Sequence, residues 1–444
     1  MREADREGSE SRMSLAVQQL SPAQRYWRWR IFAITWLAYA GFYLCRKNLS
    51  VVMPLMASEQ GYSNLQLADV LFGFSLLYAL GQFGFGLLAD RFGSRAVVGF
   101  GMLLAVASNV LMGWASAVVW LALFACLNGA GQSAGWPGLV KNMAPWFVRR
   151  ERGVIMAWWT TNYVVGGVVG SVFATYVVTN SWLLPQWGWR RGFWIPAFVL
   201  LLITVAYTAL GRNRPADAGL PRIVESDEEK TGRSSSPEAI SPRIPAAAGQ
   251  GRMLLDWEVW TVALGAMFCK VTRYSFLFWL PLYLTQHSSY GVGEAGYTSS
   301  LFELCGFGGA LLGGYFSDKV MQSRRLPVAA MMMFGLGFLC WLHPLFATWG
   351  RLGIAISIGL IGIMNYGPDT LLQGAASQDI GARWGVGKTS GFIDGVSSVG
   401  QLFSAYMVGY VAQKYGWNVV FYLFVVISFL GGAIMATRWN HRSA

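Results

Sequence analysis

Tyr43-Leu44-Cys45-Arg46-Lys47-Asn48-Leu49-Ser50 sets two adjacent cations inside a long apolar run, with apolar residues over 31–44 before them and 51–56 after. A cation near the middle of a bilayer costs at least ~2.5–3.5 kcal/mol, so it normally faces a polar interior and marks a substrate or ion path. No acid stands close by in this stretch, which points to a counter-charge supplied by an anion that comes and goes. The competing reading is snorkelling, because both side chains are long enough to carry their charge toward an interface.

Composition supports the membrane setting. Of 444 residues, 54% are hydrophobic and 13% are charged, against about 25% charged in an ordinary soluble domain. The 53 glycines and 21 tryptophans suit close helix packing and interfacial aromatic belts. The net charge of +12 gathers on no folded basic face, which argues against a nucleic-acid partner. Cys45, Cys126, Cys269, Cys305 and Cys340 stand apart, with neither metal spacing nor a disulfide framework. No nucleophile–base pattern is visible, so no enzyme, metal or cofactor is expected.

Twelve apolar stretches are long enough to cross, near 29–57, 64–88, 95–115, 118–143, 152–179, 191–211, 257–286, 294–317, 326–347, 350–376, 387–412 and 416–438; each needs about 20 residues. A polar segment over 212–251, with Ser226-Asp227-Glu228-Glu229-Lys230 and Ser234-Ser235-Ser236, reads as a flexible linker. The expected organisation is an all-α membrane protein. A tail over 1–27 leads into a six-helix bundle over 28–211, a linker over 212–252, a second six-helix bundle over 253–438 and a tail over 439–444. The polar first 27 residues do not read as a cleavable signal, and the first apolar span would serve for targeting.

The two halves repeat. Gly86-Leu87-Leu88-Ala89-Asp90-Arg91-Phe92-Gly93-Ser94-Arg95 follows the second span, and Gly314-Tyr315-Phe316-Ser317-Asp318-Lys319 follows the eighth, with Arg324-Arg325 after it. This duplicated turn resembles the signature of the major facilitator superfamily, which implies twelve transmembrane helices in two pseudosymmetric bundles. Asp90, Arg91, Arg95 and Asp318 are then expected to latch one face, since a carboxylate accepts from helix N-terminal amides and basic partners. The loops after even-numbered spans carry Arg91, Arg95, Arg149, Arg150, Arg152, Arg212, Arg214, Lys319, Arg324 and Arg325. That bias places both termini and the linker in the cytoplasm.

The seventh span contains Cys269-Lys270-Val271-Thr272-Arg273-Tyr274 and then Pro281. Arg46 precedes Pro54 by eight residues, as Arg273 precedes Pro281. Pseudosymmetry would set Arg46 and Arg273 opposite each other, as a fork for phosphate or carboxylate. Phosphate offers more acceptors and more charge and is the better match. Lys47 and Lys270 add positive potential.

Arg46-Lys47-Asn48 and Arg273-Tyr274 resemble the organophosphate:phosphate antiporters, as do Gly135-Trp136-Pro137, Pro145-Trp146-Phe147 and Glu151-Arg152-Gly153. Residues 274–283 and Gly391-Phe392-Ile393-Asp394-Gly395 resemble the eukaryotic sugar-phosphate exchangers. The resemblance implies that the two arginines bind phosphate. It departs in the fifth helix, where bacterial relatives carry a histidine and this chain has Asn162 or Tyr163, neither of which titrates near neutral pH.

Glu303 and Asp394 are acids at mid-membrane depth. They neutralise Lys270 or Lys47, contact the substrate, or carry a proton. A Lys270–Asp394 or Lys270–Glu303 pair would leave Arg46, Lys47 and Arg273 as the free positive site. Tyr43, Trp136, Trp158, Tyr274 and Tyr366 are candidates for the organic part of the substrate. Gln132 and Asn128 either bind substrate or join helices. Lys388 reads as interfacial, and His287, His343 and His441 lie near helix ends or the tail and receive no role.

The sequence thus points to a monomeric transporter of the inner membrane that exchanges an organic phosphate, such as glucose-6-phosphate or glycerol-3-phosphate, for inorganic phosphate by alternating access. A sugar-phosphate sensor with a transporter fold and a carboxylate transporter are the alternatives.

Overall fold

The computed structural model describes residues 20–147, 151, 155–156, 158–180, 182–223, 253–384 and 386–440. Expectations about residues 1–19, Arg149, Arg150, Arg152, Gly153, the linker beyond 223 and His441 fall outside the described residues, as do the side chains of Asp90 and Lys388. Among the described residues the regular structure is helical, with no strand.

The first six spans are α1 (Pro22–Gln60), α2 (Asn64–Phe92), α3 (Ser94–Trp114), α4 (Val118–Ser133) with α5 (Gly135–Met143), α6 (Thr161–Thr179) and α7 (Arg191–Leu210). The second six are α8 (Trp257–His287), α9 (Val292–Tyr315), α10 (Arg325–Ala347), α11 (Gly350–Thr370) with α12 (Ser377–Trp384), α13 (Val386–Tyr415) and α14 (Trp417–Ala436). Together these make the twelve expected spans, with α4–α5 and α11–α12 each counting once.

Eight of these runs are long and apolar enough to cross a membrane by length and composition. The other four, α1, α8, α9 and α13, hold Arg46–Lys47, Lys270–Arg273, Glu303 and Asp394. Their lengths of 39, 31, 24 and 30 residues exceed what a ~30 Å hydrocarbon core requires. Length does not exclude them, and together with α4, α6 and α11 they supply the side chains of the central site.

Local signals fix the ends. Ser21 and Ser63 open α1 and α2 with capping boxes to Gln24 and Gln66, each satisfying two orphan donors. Gly61, in the left-handed conformation with φ 68°, closes α1, a role that suits a residue without a Cβ.

The packing repeats. In the first set α1 lies along α6, α2 along α4 and α3 along α7; in the second, α8 lies along α13, α9 along α11 and α10 along α14. Each pairing is the counterpart of another six spans away, which is the two-fold pseudosymmetry expected of internal repeats. The sets meet through α1–α8, α2–α13 and α6–α9.

Among the described residues, hydrogen bonds between the two sets gather at the centre and toward one end. Asn64 and Gln286 exchange bonds of 3.3 and 3.1 Å, the Leu65 amide donates to Gln413 at 2.9 Å, and Tyr406 donates to Asp69. Deeper, Gln401 donates to Ser75 at 3.2 Å. Gly409 lets α13 press on α2 here, because a Cβ would stand 2.7 Å from the Ala68 Cβ and 2.9 Å from the Asn64 carbonyl. Small residues at such crossings allow backbones to approach. This end is sealed.

The duplicated turns lie at the other end. Asp318, on a π-helical turn after α9, pairs with Arg325, which also reaches Asp379 at 3.4 Å. Arg91 lies at the end of α2 with its guanidinium over Phe92. Arg95 donates to the Thr208 carbonyl near the end of α7, so it secures a helix C-terminus instead of meeting a carboxylate. A second ion-pair relationship repeats with its sign reversed: Arg28 on α1 pairs with Glu151 after α5, whereas Glu258 on α8 pairs with Arg383 on α12.

Candidate functional site: a central cluster of paired cations

Arg46 and Arg273 occupy equivalent positions. Each stands eight residues before the proline in its helix and fourteen before the helix end, at Gln60 and His287. Both guanidiniums lie within electrostatic reach of Tyr43 and Tyr274. The two arginines therefore share one aromatic-lined centre.

Their partners differ. Arg46 is buried, and its Nε donates to the Gln132 Oε1 at 2.6 Å. Gln132 is held in turn by Asn128 at 3.0 Å and donates to the Cys45 carbonyl at 2.9 Å. The guanidinium carbon lies 4.7 Å from the Tyr43 ring centre and 4.8 Å from that of Tyr78. Among the described residues no carboxylate pairs with Arg46, and its buried Nη2 has no hydrogen-bond partner. Each ring contributes about 2 kcal/mol or more when desolvated. A buried ion carries a penalty of several kcal/mol, which the rings and one neutral amide offset without supplying a counter-charge.

Arg273 instead pairs with Asp369 on α11. Its guanidinium lies 4.5 Å from the Tyr366 ring centre and 5.6 Å from that of Tyr163. Gln373, one turn beyond Asp369 on a π-helical segment, donates to the other carboxylate oxygen.

The lysines are paired as well. Lys47 meets Glu303 at 3.4 Å, and Ser171 donates to the same carboxylate at 3.4 Å. Gly167 clears the space that the Glu303 carboxylate fills. Lys47 also donates to the Leu277 carbonyl at 2.9 Å, and Ser50 donates to the Leu277 and Phe278 carbonyls at 3.2 and 2.8 Å. Pro281 explains this bond, because it lacks the N–H that would have closed onto the carbonyl four residues earlier. Lys270 pairs with Asp394 at 2.6 Å and reaches Ser398 at 3.4 Å.

These pairings correct the sequence expectation in two places. The free positive set is not Arg46, Lys47 and Arg273: Glu303 neutralises Lys47 and Asp369 neutralises Arg273, leaving Arg46 as the cation without an acid partner among the described residues. The counter-charges of the other three are therefore internal. The Lys270–Asp394 pair is one of the two alternatives the sequence left open.

Asn162 and Tyr163 face different ways. Tyr163 shares a helix stripe with Gly167 and Ser171, toward Arg273 and Glu303. Asn162 shares the next stripe with Gly166 and Gly170, which abut Ala40 and Tyr43 of α1. Asn162 is fully buried with both polar side-chain atoms unpartnered.

Other candidates separate from the centre. Trp136 packs edge-on to Tyr39 at 5.3 Å and against Trp159 at 5.5 Å. Trp158 is 68% exposed. Asn48 joins helices, donating to Asn109 at 2.8 Å and to the Gly192 carbonyl at 3.1 Å. His343 lies near the end of α10, which closes at Ala347, and is buried between Tyr283 at 2.7 Å and Ser357 at 2.8 Å, stacked on Phe421. Sequence reading missed Tyr78 and Asp369. An acid two residues after Gly367 inside the tenth span was the available signal for Asp369.

These features define a multi-pass helical membrane protein with a charged, aromatic-lined centre between two repeated helix sets. The chain belongs to the Major Facilitator Superfamily, whose sequence profile matches residues 35–386. It is similar to the glycerol-3-phosphate transporter of Bacillus subtilis, 28% identical over 441 residues that cover 97% of this chain and 95% of that one. It is 26% identical to a probable hexose phosphate transport protein of Chlamydia trachomatis, over 94% of this chain and 92% of that one. It is 27% identical to a membrane sensor protein of Escherichia coli, over 93% and 92%. A solved inward-facing, occupied structure of a bacterial homologue of the human lysosomal transporter Spinster superposes with TM-score 0.72 at 17% identity, over 95% of this chain and 98% of that one. That last likeness is one of fold.

Proposed function

We propose that this chain is a secondary transporter that exchanges an organic phosphate, a sugar phosphate or glycerol-3-phosphate, for inorganic phosphate. The observation that carries the reading is the buried, unpartnered Nη2 of Arg46, beside a second guanidinium at the equivalent place of the other repeat. A guanidinium binds phosphate through parallel N–H donors. The names of the relatives from Bacillus subtilis and Chlamydia trachomatis supply the organophosphate class. Tyr43, Tyr274, Tyr163 and Asn162 are assigned to the rest of the substrate.

In this reading the two helix sets rock about the central arginines. The Lys/Arg-rich loops, with Arg91, Arg95, Arg212, Lys319, Arg324 and Arg325, face the cytoplasm of a bacterial inner membrane. Both termini lie on that side, and the sealed end points outward. The working unit is a monomer, with the bundles over 28–211 and 253–438 as its two moving parts.

The test is counterflow in liposomes that contain only this protein, loaded with inorganic phosphate and given labelled phosphate outside. Competition by glucose-6-phosphate or glycerol-3-phosphate supports the reading and names the substrate. A sensor is the second reading, favoured by the similarity to the Escherichia coli sensor. Binding of a sugar phosphate without any exchange would transfer the assignment to it.

A further inference from the structure

The two arginines are treated unequally by their own repeats. Arg46 is held by Gln132 on α4, and Arg273 by Asp369 on α11, the counterpart span. A neutral amide leaves the charge of Arg46 whole. A carboxylate cancels that of Arg273. Both Asp369 oxygens are engaged, one by Arg273 and the other by Gln373, so the carboxylate is aimed at the guanidinium and not left to swing.

We propose that Asp369 is an internal stand-in for the substrate anion on Arg273, and that it allows the unloaded carrier to close and reorient. The proposal rests on the transporter reading above. Arg46 is already buried without an acid partner among the described residues; closing the bundle around a bare Arg273 as well would bury a second uncompensated cation, at a further cost of several kcal/mol. A carrier so built moves only when loaded, which makes it a strict exchanger. Here Asp369 supplies the anion from within the chain. When a phosphate arrives, it binds Arg46 through the unpartnered Nη2 and competes with Asp369 for Arg273, while Gln373 retains the displaced carboxylate. The remaining pairs, Lys47–Glu303 and Lys270–Asp394, add no net charge. Net transport without a counter-substrate therefore becomes possible alongside exchange. Asp369 acts through Arg273 and is a positioning residue.

The experiment uses liposomes holding the full chain and labelled inorganic phosphate. Efflux is followed into phosphate-free buffer and into buffer containing unlabelled phosphate, for the wild type, Asp369→Asn and Asp369→Glu. We expect wild-type efflux in both buffers. Asp369→Asn should lower efflux into phosphate-free buffer at least tenfold relative to exchange, with half-saturation by phosphate at lower concentration, and Asp369→Glu should restore the wild-type ratio. A merely structural role would depress both modes together. An unchanged ratio in Asp369→Asn, equal losses in both modes, or a wild type that exchanges without any net efflux overturns the proposal. A wild type with neither mode overturns the transporter reading itself, and the inference with it.

Discussion

Arg46 and Arg273 stand at equivalent positions of α1 and α8, yet Gln132 holds the first and Asp369 the second. The pseudosymmetry of the backbone is thus broken in the charge of the site. An anion approaching this centre meets one guanidinium whose charge is whole and another that already has a carboxylate.

Gln132→Glu tests that asymmetry directly. The substitution changes little volume but gives Arg46 a carboxylate 2.6 Å away, where the amide oxygen now accepts. The new pair should compete with substrate for the guanidinium. A hydrogen bond to a charged group contributes about 1.5–3 kcal/mol, so phosphate affinity should fall about 10- to 100-fold. Equilibrium binding of labelled phosphate to purified protein measures this, and affinity equal to wild type would remove Arg46 from the binding site.

The two buried lysines should respond differently to truncation. Lys47→Met leaves Glu303 buried, since that side chain is 1% exposed. Removing one partner of such a pair typically costs about 3–5 kcal/mol. Lys270→Met leaves Asp394, whose side chain is 40% exposed and not enclosed by the helices, so the loss should be a fraction of that. Thermal unfolding in one detergent compares them: the melting temperature of Lys47→Met should fall well below that of Lys270→Met. A Lys47→Met/Glu303→Gln double variant should recover most of the difference, and failure to recover it would assign Lys47 its effect through the Leu277 carbonyl.

Much of this was legible in the chain before its fold. The apolar spans and the repeated turn reveal the architecture because membrane burial and duplication both leave local marks. Arg46 and Arg273 are legible because each sits at a fixed distance from a helix-breaking proline. The pairing of charges is not legible, because it depends on how helices rotate against one another. Lys47 and Lys270 each had two acids in prospect, and the structure gives Glu303 to one and Asp394 to the other. Asp369 lies inside the expected tenth span, but its partner Arg273 is 96 residues away in sequence, so nothing local marks it as part of the site. Trp136 carries a family-like motif, but its ring packs against Tyr39 and Trp159.

The latch role expected of Asp318 gives a third test. Asp318 and Asp379 both reach Arg325, and their own side chains are 55% and 37% exposed. Arg325→Gln removes the shared cation and leaves two acids near each other at this end. Exposed pairs contribute little, with a median of about 0–1 kcal/mol, so the melting temperature should change by only a degree or two. Exchange should nevertheless slow severalfold, because the turn joins α9 to α10 and its geometry sets how the end opens. An unaltered exchange rate would reduce the latch to an ordinary charged turn.

The sealed end makes the sharpest conformational prediction. Gly409 lies where α13 crosses α2, with the Ala68 Cβ, the Asn64 carbonyl and the Trp279 ring all within 3.1 Å of where its own Cβ would be. Backbone atoms cannot yield as a side chain can, so Gly409→Leu forces the two helices apart. The cross-set bonds Asn64–Gln286 and Leu65–Gln413 lie beside it and should break together. The protein should still fold, since each helix set keeps its own internal pairings, but it should favour the arrangement in which this end is open. A cysteine placed at Ser75, which is buried below the crossing, reports the change: a membrane-impermeant thiol reagent applied from this side should label it at least tenfold faster in the Gly409→Leu background. Exchange should be nearly abolished, because a carrier held open on one side cannot return its site to the other. Equal labelling in both backgrounds, in a protein of normal melting temperature, would show that the α2–α13 crossing does not close the path.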